Sequence, residues 1–135
     1  MRTYCVFNRS KDTVVAAEVE LAETAWRRLK GLLGRSEKEF APGKGLWIYP
    51  SQGVHTFGMS YPIDVIYLDS AERVIRVCHR LAPFRIGPLR LSARSVIELP
   101  AGTLAQSRTS VGDALEIRKV ERVGAERGAM CAAAG

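Results

Sequence analysis

Along this chain the apolar and polar positions follow the period of extended structure almost throughout. Residues 2–8 alternate apolar and polar and are rich in β-formers. Residues 13–21 put Val15, Ala17, Val19 and Leu21 on one face, with Glu18 and Glu20 on the other. Successive side chains of an extended chain point to opposite faces, so strict alternation marks a half-buried strand. Asn8, Arg9, Ser10, Lys11 and Asp12 lie between the two runs and carry turn chemistry. The pair therefore predicts a hairpin. The period changes after Thr24, a good N-cap. Trp26, Leu29, Leu32 and Leu33 recur at helical spacing, and Arg27, Arg28 and Lys30 take the other side. Gly34 follows as a stop. The stretch predicts an amphipathic helix of about two to three turns. Gly31 within it costs roughly 1 kcal/mol relative to Ala.

Residues 45–69 hold three apolar runs bounded by Pro or Gly. They predict strands over 46–49, 54–59 and 63–68, forming the three-stranded centre of the domain. Residues 73–81 predict a hairpin partner for the last of these. Pro83, Gly87 and Pro88 mark 82–92 as a loop. Further strands are expected over 95–99 and 114–120, with a short turn or single helical turn at Ala101-Gly102. About eight short strands and one helix, without βαβ alternation, predict a mainly β, compact sandwich- or barrel-like fold. Residues 1–120 form one domain in this reading. Residues 121–135 are Gly, Ala and charge, and predict a disordered tail.

A chain of 135 residues is the size of a single domain and long enough to bury a core without staples. The net charge of +6 is concentrated. No acidic residue lies between Glu72 and Glu98, where Arg73, Arg76, Arg80, Arg85, Arg90 and Arg94 all fall. Such a basic face attracts phosphate, carboxylate, nucleic acid or an acidic protein. It can equally be a solvated strand face whose arginine stems cover apolar surface. Cys5, Cys78 and Cys131 show no CxxC pair and no metal spacing, and their odd count suggests a reducing compartment. The first ten residues lack the apolar core of a secretory signal, and no run approaches the ~18 apolar residues of a membrane span. A cytoplasmic protein is the expectation.

Strand parity places His55, Phe57 and Met59 on one face. Pairing of their strand with 63–68 would bring Asp64 near, and a His–Asp pair can fix a tautomer for acid–base work. Asp64 has a structural alternative, accepting backbone N–H bonds in a turn. Glu98 sits among Val96, Ile97 and Leu99. A buried carboxylate needs a partner, and Arg94 or Arg76 is the expected one. A metal would require His55, His79, Asp64 and Glu98 to converge. The spacing does not demand it, so neither a metal nor a cofactor is expected. There is no G-x-S-x-G elbow and no phosphate-cradling glycine loop. Trp47, Tyr49, Phe57 and Tyr61 can form a stacking surface beside the arginines, or simply core.

Several short pieces occur in a distinctive order: Gly31-Leu32, Gly45-Leu46, His55-Thr56-Phe57-Gly58-Met59, Pro62-Ile63-Asp64, Leu68-Asp69, then 96–102 (VIELPAG) and Gly112-Asp113. The ordered set, spanning about 14–120, resembles the bacterial and archaeal DUF192 family, a domain of unknown function. The resemblance implies a compact β-sandwich-like fold of about one hundred residues with one helix, and no activity. One departure stands out. Many members carry Trp-Met-Lys-Asn-Thr after the phenylalanine, where this chain has Gly58-Met59-Ser60-Tyr61. Roles of that Lys-Asn pair do not transfer. Many members also follow a secretion or lipoprotein signal.

These residues favour a non-catalytic binding domain over an enzyme. Its ligand would be a small anionic or polar molecule, or a protein partner, held by His55, Phe57, Met59, Arg85 and Arg90. The alternatives are a hydrolase-like or metal-dependent enzyme using His55, Asp64 and Glu98, and a nucleic-acid-binding domain acting through the 76–94 segment. A concave apolar pocket lined by His55, Phe57 or Met59 is what the binding reading expects.

Overall fold

The computed structural model describes residues 2–22, 24, 32 and 34–120. Seven strands form one sheet: β1 Thr3–Asn8, β2 Thr13–Ala22, β3 Lys44–Ile48, β4 Ile63–Leu68, β5 Val74–Leu81, β6 Ser95–Pro100 and β7 Leu115–Lys119. Among the described residues one short helix, α1 Thr103–Ser107, follows β6. The predicted helix after Thr24 and the predicted tail lie outside the described residues. The fold is mainly β, as expected.

The strand order is β5-β4-β6-β3-β2-β1-β7. Every pair is antiparallel except β2 with β3. The β1–β2 and β4–β5 hairpins form as the turn chemistry predicts. The two outer strands also meet at one end. Arg73 and Ala114 form an isolated bridge, Val74 N donates to Asp113 O at 2.8 Å, and Gly112 N donates to Val74 O at 2.8 Å. The sheet is thus a half-barrel whose edges touch at that end.

Two expectations fail here. The 46–49, 54–59 and 63–68 runs do not pair with one another, because β6 lies between β3 and β4. The 54–59 run is no strand either: it makes one bridge, His55 to Ile86, and then turns. Its alternation came from Val54 facing the core and Thr56 being buried for its hydrogen bonds. The parallel β2–β3 pair was also not anticipated. Parallel neighbours need a crossover of a dozen or more residues, and the stretch between Ala22 and Lys44 supplies one.

Both faces of the central strands are buried, which explains their near-continuous apolar runs. Ile66, Leu68, Ile97 and Leu99 face the barrel interior with Val6, Val19 and Leu104. Ile63, Val65, Tyr67 and Val96 face the other way, with Leu32, Phe40, Val54, Met59 and Tyr61 over them. That second layer is built from loops, and it carries the candidate site.

Candidate functional site

Two loops cover the outer face of β4. Residues 51–57 and 82–91 are zipped by backbone bonds: Phe84 N to Thr56 O (2.9 Å), Thr56 N to Arg85 O (2.8 Å), Gly87 N to Val54 O (2.9 Å) and Arg90 N to Gln52 O (3.0 Å). Thr56 is fully buried. Its hydroxyl donates to Ala82 O at 2.6 Å and accepts from Arg85 N at 2.8 Å. Gln52 Nε2 donates to Leu91 O at 2.8 Å. Tyr67 reaches up from β4 and donates its hydroxyl to Pro88 O at 2.6 Å, fixing the loop to the sheet. Burial pushes the Tyr67 phenol up to about 12, so it stays a donor across the physiological range. Gly87 makes the close approach possible. A Cβ there would lie 2.8 Å from Val54 and 2.9 Å from the Tyr67 hydroxyl.

This hydrogen-bonded platform displays apolar side chains outward. Of the large hydrophobic residues that are exposed, Phe57 (46%), Phe84 (64%), Ile86 (74%), Leu89 (69%) and Leu91 (76%) all sit on it. Phe57, Ile86 and Leu89 line an open groove of about 440 Å³, together with Gly53, Val54, His55 and Gly87. His55 stacks on Phe57 with ring centres 5.9 Å apart and an interplanar angle of 27°. Its Nδ1 is buried without a hydrogen-bond partner. Met59 lies beneath in the core rather than in the lining. Arg85 and Arg90 are exposed on the same loop. Among the described residues, no side-chain hydrogen bond or ion pair engages either guanidinium. A second depression of about 510 Å³, between β2 and α1, is lined by no titratable group.

The carboxylates lie elsewhere. Asp64 points to the face of β4 opposite Tyr67, and Asp64 Oδ1 accepts from Arg80 N at 2.9 Å while Oδ2 accepts from Gly102 N (3.1 Å) and Leu104 N (2.9 Å). The sheet itself separates it from His55, so no His–Asp pair forms. Glu98 shares the outer face with Val65, its register partner, but is shut inside the core at 3% exposure. Its expected ion pair with Arg94 or Arg76 is absent. Arg94 instead donates from Nε to the Tyr49 hydroxyl at 3.1 Å and lies over that ring. Glu98 Oε1 has no hydrogen-bond partner, and burial raises the carboxyl to about 8. Tyr61, whose hydroxyl is also unpartnered, is raised by burial, lowered by Arg35 and raised again by Glu98 and by Glu39 and Glu37. No three His, Cys, Asp or Glu side chains among the described residues could hold a metal. The proposed stacking surface is also dispersed. Trp47 packs edge-on against Tyr4 and Tyr49, Tyr61 is buried, and only Phe57 faces the groove.

One buried polar cluster is not legible in the sequence. Asn8 Nδ2 donates to Asp113 Oδ2 at 2.9 Å and Thr109 Oγ1 at 3.1 Å, and Lys11 Nζ donates to Asp113 Oδ2 at 3.0 Å. This ties the β1–β2 turn to the turn before β7. Burial alone would raise Asp113, but the bonds from Asn8, Ser110 and Lys11 outweigh it and hold its carboxyl below the usual range. The signal was an Asn closing an apolar run and a Gly-Asp turn, too common a pair to connect across a hundred residues.

A family model for DUF192, described as an uncharacterized ACR, matches residues 6–117. The chain belongs to the DUF192 family. This DUF192 domain is 34% identical over 117 residues to a UPF0127 protein of Pyrococcus abyssi, covering 82% of this chain and 95% of that one. It is 29% identical over 116 residues to a UPF0127 protein of Thermococcus sibiricus, covering 82% and 73%. Among solved structures it is similar to a protein of unknown function from Novosphingobium aromaticivorans, at 24% identity and a TM-score of 0.70, with 84% and 83% of the chains covered. A putative transcription regulator from Sinorhizobium meliloti matches at 23% identity and a TM-score of 0.65, with 85% and 92% covered. These two likenesses carry the DUF192 fold and nothing of function. Among the described residues of the domain, no helix is long and apolar enough to cross a membrane.

Proposed function

We propose that this DUF192 domain is a non-catalytic binding module whose site is the groove between His55-Phe57 and Ile86-Leu89. The observation that supports the reading is the display of five large apolar side chains on loops that are hydrogen-bonded into one rigid platform. Exposed apolar side chains cost solvation, and contiguous patches of this kind mark interaction sites. A preordered platform lowers the entropy lost on binding. The groove's volume falls within the roughly 300–1,000 Å³ typical of ligand sites. Its apolar lining favours a ligand with an apolar group, and Arg85 and Arg90 favour an anionic one. The enzyme reading has less to stand on, since Asp64 is committed to backbone donors and Glu98 is enclosed.

The neutral dye Nile red tests this. Its fluorescence should rise on mixing with the protein, and the rise should vanish in the Ile86→Asp/Leu89→Asp variant at unchanged melting temperature. An unaltered signal in that variant would remove the groove from consideration.

A further inference from the structure

We infer that the occupant of the groove is an acidic, apolar segment of another polypeptide, one that seats a hydrophobic side chain between Phe57 and Leu89 and places carboxylates against Arg85 and Arg90. The inference rests on the groove being the binding site and adds the identity of what fills it.

Three observations converge on that chemistry. The first is shape. The apolar lining forms an open groove of about 440 Å³ between the two loops, room for an inserted side chain. The second is charge. The 73–97 stretch carries no acidic residue, and Arg85 and Arg90 have no partner within the described chain, so an incoming carboxylate has no competitor to displace. Arginine forks pair bidentately with carboxylates, and such bonds strengthen where neighbouring apolar groups exclude water. The same charge disfavours a second copy, because a symmetric contact would set these arginines against their own equivalents. The third is backbone strain. Phe84 holds a left-handed conformation (φ 59°), rare for a bulky residue and costly by about 1–2 kcal/mol. Phe84 is nevertheless 64% exposed, so its side chain gains no core contact from that conformation. Thr56 holds the turn in place, accepting from Phe84 N through its carbonyl and from Arg85 N through its hydroxyl, and outliers held in this way cluster at active sites, ligand clamps and switch regions.

The test uses two capped synthetic hexapeptides with Leu-Phe at the centre, one flanked by Asp and Glu, the other by Lys. Binding is followed by amide shifts in NMR and by calorimetry, with phosphatidylcholine–phosphatidylserine vesicles as a third probe. The acidic peptide should shift Phe57, Gly87 and Leu89, bind at least tenfold tighter than the lysine peptide, and weaken with salt. Arg85→Glu/Arg90→Glu should invert the preference between the two peptides, a result that a misfolded variant cannot give. Vesicle binding that spares the acidic peptide would overturn the inference in favour of a membrane surface. Equal affinity for both peptides would overturn the carboxylate assignment while Nile red still reported an intact groove. Failure of both the peptides and Nile red would take the binding site down with it.

Discussion

Asp64 and Gly102 are joined by a hydrogen bond of 3.1 Å from the glycine N–H to the carboxylate. The same Asp64 oxygen accepts from Leu104 N, and its other oxygen accepts from Arg80 N. One buried side chain therefore organises the turn after β6, the start of α1 and the far end of β5. Asp64→Ala should cost about 2–4 kcal/mol, since it orphans several backbone donors. Urea unfolding would show this, and Nile red binding to the folded fraction should persist. Loss of binding with stability intact would instead put Asp64 in the site.

Glu98 makes the domain lose stability as pH rises through the neutral range. Its folded carboxyl titrates near 8 because of burial, whereas the unfolded group titrates near 4.5. Between those values the native state holds a proton that the unfolded state has lost. Stability from this group is therefore full below about pH 4.5 and declines as pH rises to about 8, by at most about 1.4 kcal/mol per pH unit. Glu98→Gln should flatten that slope in urea titrations across pH 5–9 and stabilise the protein by roughly 1–3 kcal/mol at pH 9. A slope unchanged by the substitution would locate it elsewhere.

The Asn8–Asp113 cluster works in the opposite direction. Asp113 has a depressed folded value, so its contribution is present above the ordinary carboxylate range and is lost as pH falls through the folded value. Asn8→Ala should cost about 1–3 kcal/mol at neutral pH, and hydrogen exchange should quicken first in the 109–114 turn. Faster exchange confined to β4 would contradict the assignment.

Gly87 and Tyr67 set the height of the binding loop. Gly87→Ala places a methyl group against Val54 and the Tyr67 hydroxyl and should lift residues 84–89 from the sheet. Tyr67→Phe removes the hydroxyl that bonds Pro88 O and also meets Cys78, for about 1 kcal/mol. Nile red affinity should fall several-fold in Gly87→Ala and less in Tyr67→Phe. Equal affinity in all three proteins would mean the loop does not shape the groove.

How legible the site was depended on the reach of its contacts. His55, Phe57, Arg85 and Arg90 were singled out from local pattern and charge, and all four sit on the two-loop platform. Their neighbours Ile86 and Leu89 carry no such signal, because an aperiodic stretch rich in Pro and Gly reads only as a loop. Met59 was placed with His55 by strand parity, but the turn after Thr56 breaks that parity and sends it into the core. Glu98 was recognised as buried, yet its lack of a partner depends on Leu46 and Val65 from other strands flanking it.

By itself the sequence determined what short-range physics controls. Alternation in the first two runs, and apolar runs bounded by turn residues in the rest, marked all seven strands, turn residues set the β1–β2 and β4–β5 hairpins, and the ordered motifs identified the family. Tertiary structure alone decided that β6 would slide between β3 and β4, that β2 and β3 would run parallel, and that the outer strands would touch. Those choices come from closing a twisted sheet around its core. Apolar burial there is nearly indifferent to strand order, and no local pattern encodes it. The face on which Asp64 lies, and so its separation from His55, followed from that closure.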